Sequence, residues 1–324
     1  MAYQTGDAIL DDHYNGFVAN DTNNINRITG TGTDDFGYGT GNVATVDTST
    51  TVQASQWTAL LAKLEIAKSH QDSTINISSF AVSSGDVIAA IANVATDIGT
   101  VTTNKHNVKA DGLTANAYTS KTFTGSWTTN VIYEYKLAFA GGDEARFFFN
   151  AGGTITSAIG LSGHTSDEKA NEWKDLLETL IGTFTFDHTT CAFSGSGTAN
   201  THTNTKGYYD LTTSYVTHLK MFADSSPYTD NFAQLEIKGS AVHGDGRDNH
   251  GAEIFFKWTL SDAAADQADA GQDPQDALDA AVTNLDIVNG NLAFSGNYNQ
   301  PDATHLGSVP SGSVTYTSIT ETQS

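Results

Sequence analysis

The chain has 324 residues, enough to bury a sizeable core in one to three domains. Only 38% of them are apolar, yet 16 Phe, 12 Tyr and 4 Trp can seed such cores, which excludes wholesale disorder. Against 15 Lys and Arg stand 37 Asp and Glu; the formal net charge of −22 repels nucleic acid and anionic membrane surfaces and argues against DNA packaging or lipid binding.

Up to residue 120 the pattern is helical and loop-rich. Three similar stretches follow one another. Gly6-Asp7-Ala8-Ile9 leads into Leu10, Tyr14 and Phe17; Thr51-Val52 leads into Trp57, Leu60, Leu61 and Leu64; Gly85-Asp86-Val87-Ile88 leads into Ile91, Ala95 and Ile98. Spacings of three and four place each apolar set on one helical stripe, with Asp11 and Ser55 as candidate caps. Two readings stand, a weak repeat or three unrelated amphipathic helices; either way the helices are short and need packing to be stable. Between the first two lies a Gly-rich stretch, residues 30–39, which reads as an ordered loop. The opening residues 1–7 lack the basic and apolar regions of a secretory signal, so none is expected. No apolar stretch approaches the ~18 residues that span a bilayer.

From residue 120 the pattern turns to period two. Val131, Tyr133, Tyr135, Leu137 and Phe139 share one face of a strand, and Glu134 and Lys136 share the other. Gly141-Gly142 then signals a hairpin, with residues 143–150 as the partner strand. In that strand, Asp143 and Glu144 pair with Arg146, three aromatics follow, and Asn150-Ala151-Gly152-Gly153 turns the chain sharply. A third strand is expected over 154–161. One helix interrupts at 166–181, opened by a capping box from Thr165 to Glu168, striped by Ala170, Trp173, Leu177 and Leu180, and stopped at Gly182. Further strands are expected at Phe184–Phe186, Tyr215–Met221, Ala233–Lys238, Glu253–Leu260, from Leu285 through Phe294, and at Val314–Tyr316. Many short strands with polar turns point to an antiparallel sandwich with one helix across it, an α+β fold. The expected organisation is thus a helical and loop-rich anchoring region over 1–115 and a β-sandwich-like domain over 120–324. The Ser/Thr-rich tail is expected to fray unless a neighbour captures it.

Few stretches could carry chemistry. The lone cysteine, Cys191, rules out an intrachain disulfide and a Cys-rich zinc site, and is expected in the core as a small hydrophobe. His243-Gly244-Asp245-Gly246-Arg247-Asp248-Asn249-His250 gathers imidazoles and carboxylates but breaks the EF-hand spacing, so a polar hairpin loop is expected there. Asp262, Asp266, Asp269, Asp273 and Asp276 recur at three and four; they read as a solvated acidic face or as a cation-assisted contact between subunits. Trp127, Tyr133 and Trp258 could form a carbohydrate platform, though strand aromatics more often pack a core. With no Gly-x-Ser-x-Gly elbow, Walker loop or His-Glu-x-x-His helix in the chain, no catalytic, cofactor-binding or metal-binding residue is assigned.

Arg146-Phe147-Phe148-Phe149-Asn150-Ala151-Gly152-Gly153 resembles the Arg-aromatic-Phe-Phe-Asn-Ala-Gly-Gly signature of virion structural proteins of tailed bacteriophages, especially large phages of aquatic cyanobacteria. Gly6, Asp7, Ile9, Tyr14, Asn15, Tyr38, Gly39 and Trp57 match further features of that family, namely a Gly-Asp-x-Ile lead, a Tyr-Asn pair, a Tyr-Gly loop and a Trp-bearing second segment. The resemblance implies a structural part of the tail, neck or fibre apparatus, resident in the virion. It would assemble with copies of itself and neighbouring virion proteins, without nucleic acid, membrane, enzymatic activity or cofactor. The alternatives it implies are a receptor- or carbohydrate-binding fibre module that meets a host-surface glycan, and a capsid-decorating protein.

Overall fold

The computed structural model describes residues 11–48, 50–76, 91–118, 121–165, 168–226, 228–244, 248–263, 287–309 and 311–324. Its helices, in chain order, are α1 (Asp11–Asn15), which runs on as a π-helical turn over Gly16–Asn20, α2 (Ile25–Thr29), α3 (Ala54–Gln71), α4 (Ile91–Thr103), α5 (Gly142–Asn150), α6 (Glu168–Lys174), continued by a π-helical turn over Asp175–Ile181, and α7 (Ala303–Leu306). Its strands are β1 (Leu113–Ala117), β2 (Lys121–Phe123), β3 (Asn130–Ala138), β4 (Thr154–Ser162), β5 (Thr183–Phe186), β6 (Cys191–Phe193), β7 (Thr201–His202), β8 (Val216–Phe222), β9 (Phe232–Gly239), β10 (Glu253–Ser261), β11 (Asn291–Pro301) and β12 (Thr315–Gln323). The fold is α+β with a β-sandwich.

Two units emerge, and neither is one contiguous block. The first draws on the described residues of Met1–Thr114, Asp143–Gly153 and Gln300–Gly312; the second on those of Ala115–Gly142, Thr154–Asn299 and Ser313–Ser324. The division is not a single cut between 1–115 and 120–324: Asp143–Gly153 and Gln300–Gly312 group with the N-terminal helices.

In the first unit, the helical stripes converge. Tyr14, Val18, Ile25, Ile28, Trp57, Leu60, Leu64, Val94, Ile98 and Val101 are all at most 1% exposed. Tyr14 meets Trp57 edge to face at 5.8 Å. The cap of α3 is Gln53, whose N–H donates to Gln56 Oε1 at 2.7 Å; Ser55, expected as the cap, lies inside the helix. Asparagine side chains serve the extended chain that follows the Gly-rich loop. Asn15 donates to Val46 O (2.7 Å) and accepts from Val46 N (2.8 Å), and Asn26 does the same at Val43 (2.8 and 2.7 Å). Each primary amide thus imitates a strand neighbour for a backbone that has none. The leads at Gly6–Ile9 and Gly85–Ile88 lie outside the described residues.

In the second unit, the strands form two antiparallel sheets, ordered β1-β11-β4-β5-β6 with β2 also on β11, and β12-β3-β10-β9-β8-β7. The alternation read in the sequence fixes which face is buried. Val131, Tyr133, Tyr135 and Leu137 of β3 and Ile254, Phe256, Trp258 and Leu260 of β10 are at most 1% exposed. They face aromatics of the other sheet: Tyr133 lies 4.8 Å from Phe294, and Phe186 lies 6.1 Å from Phe256. Full burial of each such side chain contributes roughly 1.5–3 kcal/mol. Ser157 Oγ, also buried, accepts from Trp258 Nε1 (2.9 Å) and from Tyr135 OH (3.1 Å), which satisfies both aromatic donors inside the core. β8 carries a bulge between Thr217 and Leu219, so His218 and Leu219 are both buried and the simple alternation breaks there.

Several expectations are corrected. Residues 143–150 are not a strand across a Gly141-Gly142 hairpin; they form α5, and β3 pairs instead with β10 and β12. Residues 315–323 do not fray, because β12 runs along β3, and Ser324 O accepts from the Thr128 and Thr129 amides. Asp262 is not a solvated carboxylate but fully buried. The rest of its acidic run, residues 264–286, lies outside the described residues, as do Leu285, Ser166 and Asp167 of the expected capping box, and Asp245 to Arg247.

Candidate functional site

The signature segment is a buried clamp. Asp143 and Glu144 open α5 where the helix dipole favours carboxylates. Every residue from Ala145 to Asn150 is then buried. Arg146 is 3% exposed, and its guanidinium reaches the Gly-rich loop: Nη2 donates to Thr31 O at 2.6 Å and Nη1 donates to Phe36 O. Asn150 Nδ2 donates to the same Phe36 O at 2.8 Å. Asp143 contributes only a 3.4 Å contact to Arg146, within one helical turn, so the ion pair expected at a strand start is secondary to the carbonyl contacts. The helix ends through Gly152 (φ +78°), with the Gly153 amide donating to Phe148 O at 2.8 Å. Gly39 adopts φ +72°, and a Cβ there would fall 2.5 Å from the Phe147 ring, so the loop requires glycine at that contact.

Neighbouring residues complete the clamp. Tyr38 OH donates to Lys105 O (2.5 Å) and accepts from Gln71 Nε2 (2.6 Å). His70 Nε2–H donates to Ala151 O at 2.9 Å, while its buried Nδ1 has no partner; burial pushes its pKa down to about 4 and keeps the ring neutral. Phe36 lies under the Arg27 guanidinium, 3.6 Å from the ring centroid, with Lys105 Nζ at 4.6 Å. Asp35 contacts Lys105 (3.1 Å) and His106 (3.6 Å); the His106 hydrogen bond above all holds its carboxyl well below the usual range. Most of these polar groups are taken up by backbone carbonyls and by one another, and Arg27 and Thr31 also line a shallow hollow of about 260 Å³ with Asn24, Asn26 and Asn42.

Other candidates resolve otherwise. His243 and His250 stack with ring centroids 5.2 Å apart, and His250 Nδ1 accepts from His243 N at 3.2 Å. Burial lowers the His250 pKa to about 4 and keeps that ring neutral. Among the described residues no group of three or more His, Cys, Asp or Glu is placed to hold a metal ion. Trp127, Tyr133 and Trp258 are each 1% exposed and belong to the core, which removes them as a sugar platform. Cys191 is buried, and burial pushes its thiol up to about 12. A surface hollow of about 380 Å³ is bounded by Phe17, Asp21, Ala95 and Ile98, with a single carboxylate.

The outer face of the β12-containing sheet carries a pattern that sequence reading did not single out. Cross-strand register sets Phe255 between Lys136 and Lys238, and Lys257 between Glu134 and Glu236. Lys238 Nζ lies 4.8 Å from the Phe255 centroid and 4.5 Å from that of Tyr215. Lys257 pairs with Glu236 at 2.5 Å, and Tyr215 OH donates to Glu134 at 2.5 Å. Lys220 lies 3.8 Å over Phe232. A chain with few cations thus gathers four lysines over aromatic rings on one sheet face. The alternation had set Glu134 and Lys136 on the face opposite the core, but the rows these residues form depend on the pairing of β8, β9, β10 and β3.

No family model matches the chain, and neither a curated protein nor a solved structure matches it. Its class is therefore defined by its own architecture, an α+β protein whose sequence signature is a buried clamp.

Proposed function

We propose that the chain is a structural component of a tailed-phage virion, part of the tail, neck or fibre apparatus, and that it works by multi-copy assembly without catalysis. One observation carries this reading. The described residues that bear the resemblance, Tyr14, Asn15, Tyr38, Gly39, Trp57 and 146–153, belong to one unit, and all but Gly39 and the Gly152–Gly153 turn are buried side chains with structural partners. Such a signature serves a scaffold and leaves the outer surface free to meet neighbours. The lysine-aromatic face of the second sheet supports the same reading. On a strongly acidic chain, a face whose lysines are largely balanced by Glu134, Glu236 and Glu253 carries little net charge, which lets an acidic neighbour, including another copy, approach it. Stable contacts of this kind bury ~1,200–2,000 Å² or more. Its partners would be copies of itself and adjoining virion proteins, with neither nucleic acid nor membrane.

Quantitative proteomics of density-purified particles tests the proposal. The chain is expected in the particles at a fixed multiple of other structural proteins. Recovery only in the soluble fraction of infected cells would refute it.

A further inference from the structure

In the second unit, Lys169 in the first turn of α6 and Asp262, immediately after β10, meet with Nζ 2.5 Å from Oδ2. Other lysines approach carboxylates as closely: Lys121 with Glu321, Lys136 with Glu253 and Lys257 with Glu236. Their side chains are 18–37% exposed, so water solvates both charges. Lys169 and Asp262 are 3% and 0% exposed, and water is shut out of the contact. Lys169 faces the Asp262 carboxyl directly in this dry contact.

We propose that Lys169 and Asp262 condense into an intramolecular isopeptide bond that ties α6 to the end of β10. The step begins as one proton passes from Nζ to the carboxylate inside the water-excluded contact, which leaves two neutral groups. The Nζ lone pair then attacks Cγ. The Nζ–Cγ bond forms as the C=O π electrons move onto oxygen. A second Nζ proton passes to the hydroxyl, the C–O bond breaks, and water departs. One ammonium and one carboxylate become one amide and one water, with no oxidant, metal or cofactor.

The surroundings fit that path. The Trp173 indole N–H, buried and without another acceptor, and the Asn231 amide both bear on the Asp262 carboxyl. They are donors placed where negative charge gathers on oxygen in the tetrahedral intermediate. Burial, which raises the Asp262 pKa above the usual carboxylate value, outweighs the opposing pull of Lys169, Trp173 and Asn231 and favours the protonated acid that the attack requires. The product leaves no buried charge behind, and it closes a covalent loop from residue 169 to residue 262, which suits a part that bears mechanical load.

Intact-mass spectrometry of the purified full-length chain under denaturing conditions tests this directly. The expected mass is one water below that of the processed sequence. Trypsin is expected to leave Lys169–Ala170 uncut, within a branched peptide that contains Asp262. Lys169→Arg is expected to restore the full mass, and since the wild-type measurement is decisive alone, that variant need not fold. A wild-type chain at its full sequence mass, with trypsin cutting after Lys169, overturns the proposal. So does a water loss mapped to another residue, or a loss of ammonia that joins Lys169 to Asn231.

Discussion

At the scale of single residues, a buried neutral histidine sets a pH limit on the fold. His70 Nε2–H donates to Ala151 O, its Nδ1 is buried without a partner, and its pKa is pushed from 6.5 to about 4. A lowered histidine pKa means that the unfolded chain takes up a proton which the fold refuses. Stability is therefore level above pH 6.5 and falls as the pH drops from 6.5 towards 4. The full loss from this residue is on the order of 3 kcal/mol. His250, lowered to about 4 by burial in the second unit, adds a loss of the same sign. Urea denaturation at pH about 7 and about 4.5 reads the effect. His70→Gln, which keeps an N–H donor for Ala151 O but does not titrate, is expected to lose less between the two pH values than the wild type. Equal losses in both chains would mean that His70 is not the titrating group. The sequence could not announce this role: His70 closes the polar end of α3, and only the packing of Ala151 behind it reveals the burial.

At the scale of elements, α5 is the instructive case. Three successive phenylalanines before Asn-Ala-Gly-Gly read as a strand and a turn because aromatics favour strands and Gly-Gly favours hairpins. The helix forms because burial wraps it almost entirely, so it needs no polar stripe, and all-round burial erases the periodicity that separates helix from strand. A helical cue was present in Asp143-Glu144 at the first turn. The strands β3, β4, β9 and β10 were legible because one face of each is buried and the other is not. The Lys169–Asp262 contact was not, since its partners are far apart in sequence and Asp262 opens an acidic run that reads as solvated. The clamp itself makes a sharp prediction. Arg146→Ala takes the charged donor from the Thr31 and Phe36 carbonyls, the latter still held by Asn150, and is expected to destabilise the fold by about 1.5–3 kcal/mol. Arg146→Lys recovers only part of this, because a point charge on one amine does not reproduce the planar fork that reaches both carbonyls. The urea midpoints of the three chains decide it; an unchanged midpoint for Arg146→Ala would show that the clamp contributes nothing to the fold.

At the scale of the whole molecule, the chain is interleaved rather than sequential. It passes between its two units at 114/115, 142/143, 153/154, 299/300 and 312/313. A cut at the apparent boundary near residue 115 therefore does not separate them. A fragment spanning 120–324 keeps the strands of both sheets except β1, but it also keeps Ala151 and Leu306, deprived of the Trp57, Leu64 and Val101 core they belong to, and Phe147 of α5, deprived of the Gly39 loop it packs on. Exposed aromatic surface of that kind drives association. The fragment is expected to show β-rich circular dichroism yet to bind a hydrophobic dye and elute as multimers. The same fragment with 143–153 and 300–312 replaced by Gly/Ser linkers of equal length is expected to lose the dye signal and run as a monomer, since flexible linkers of that length keep the reach the sandwich needs. If the unmodified fragment is already monomeric and dye-negative, then α5 does not depend on the N-terminal helices for its burial, and the two-unit division is wrong.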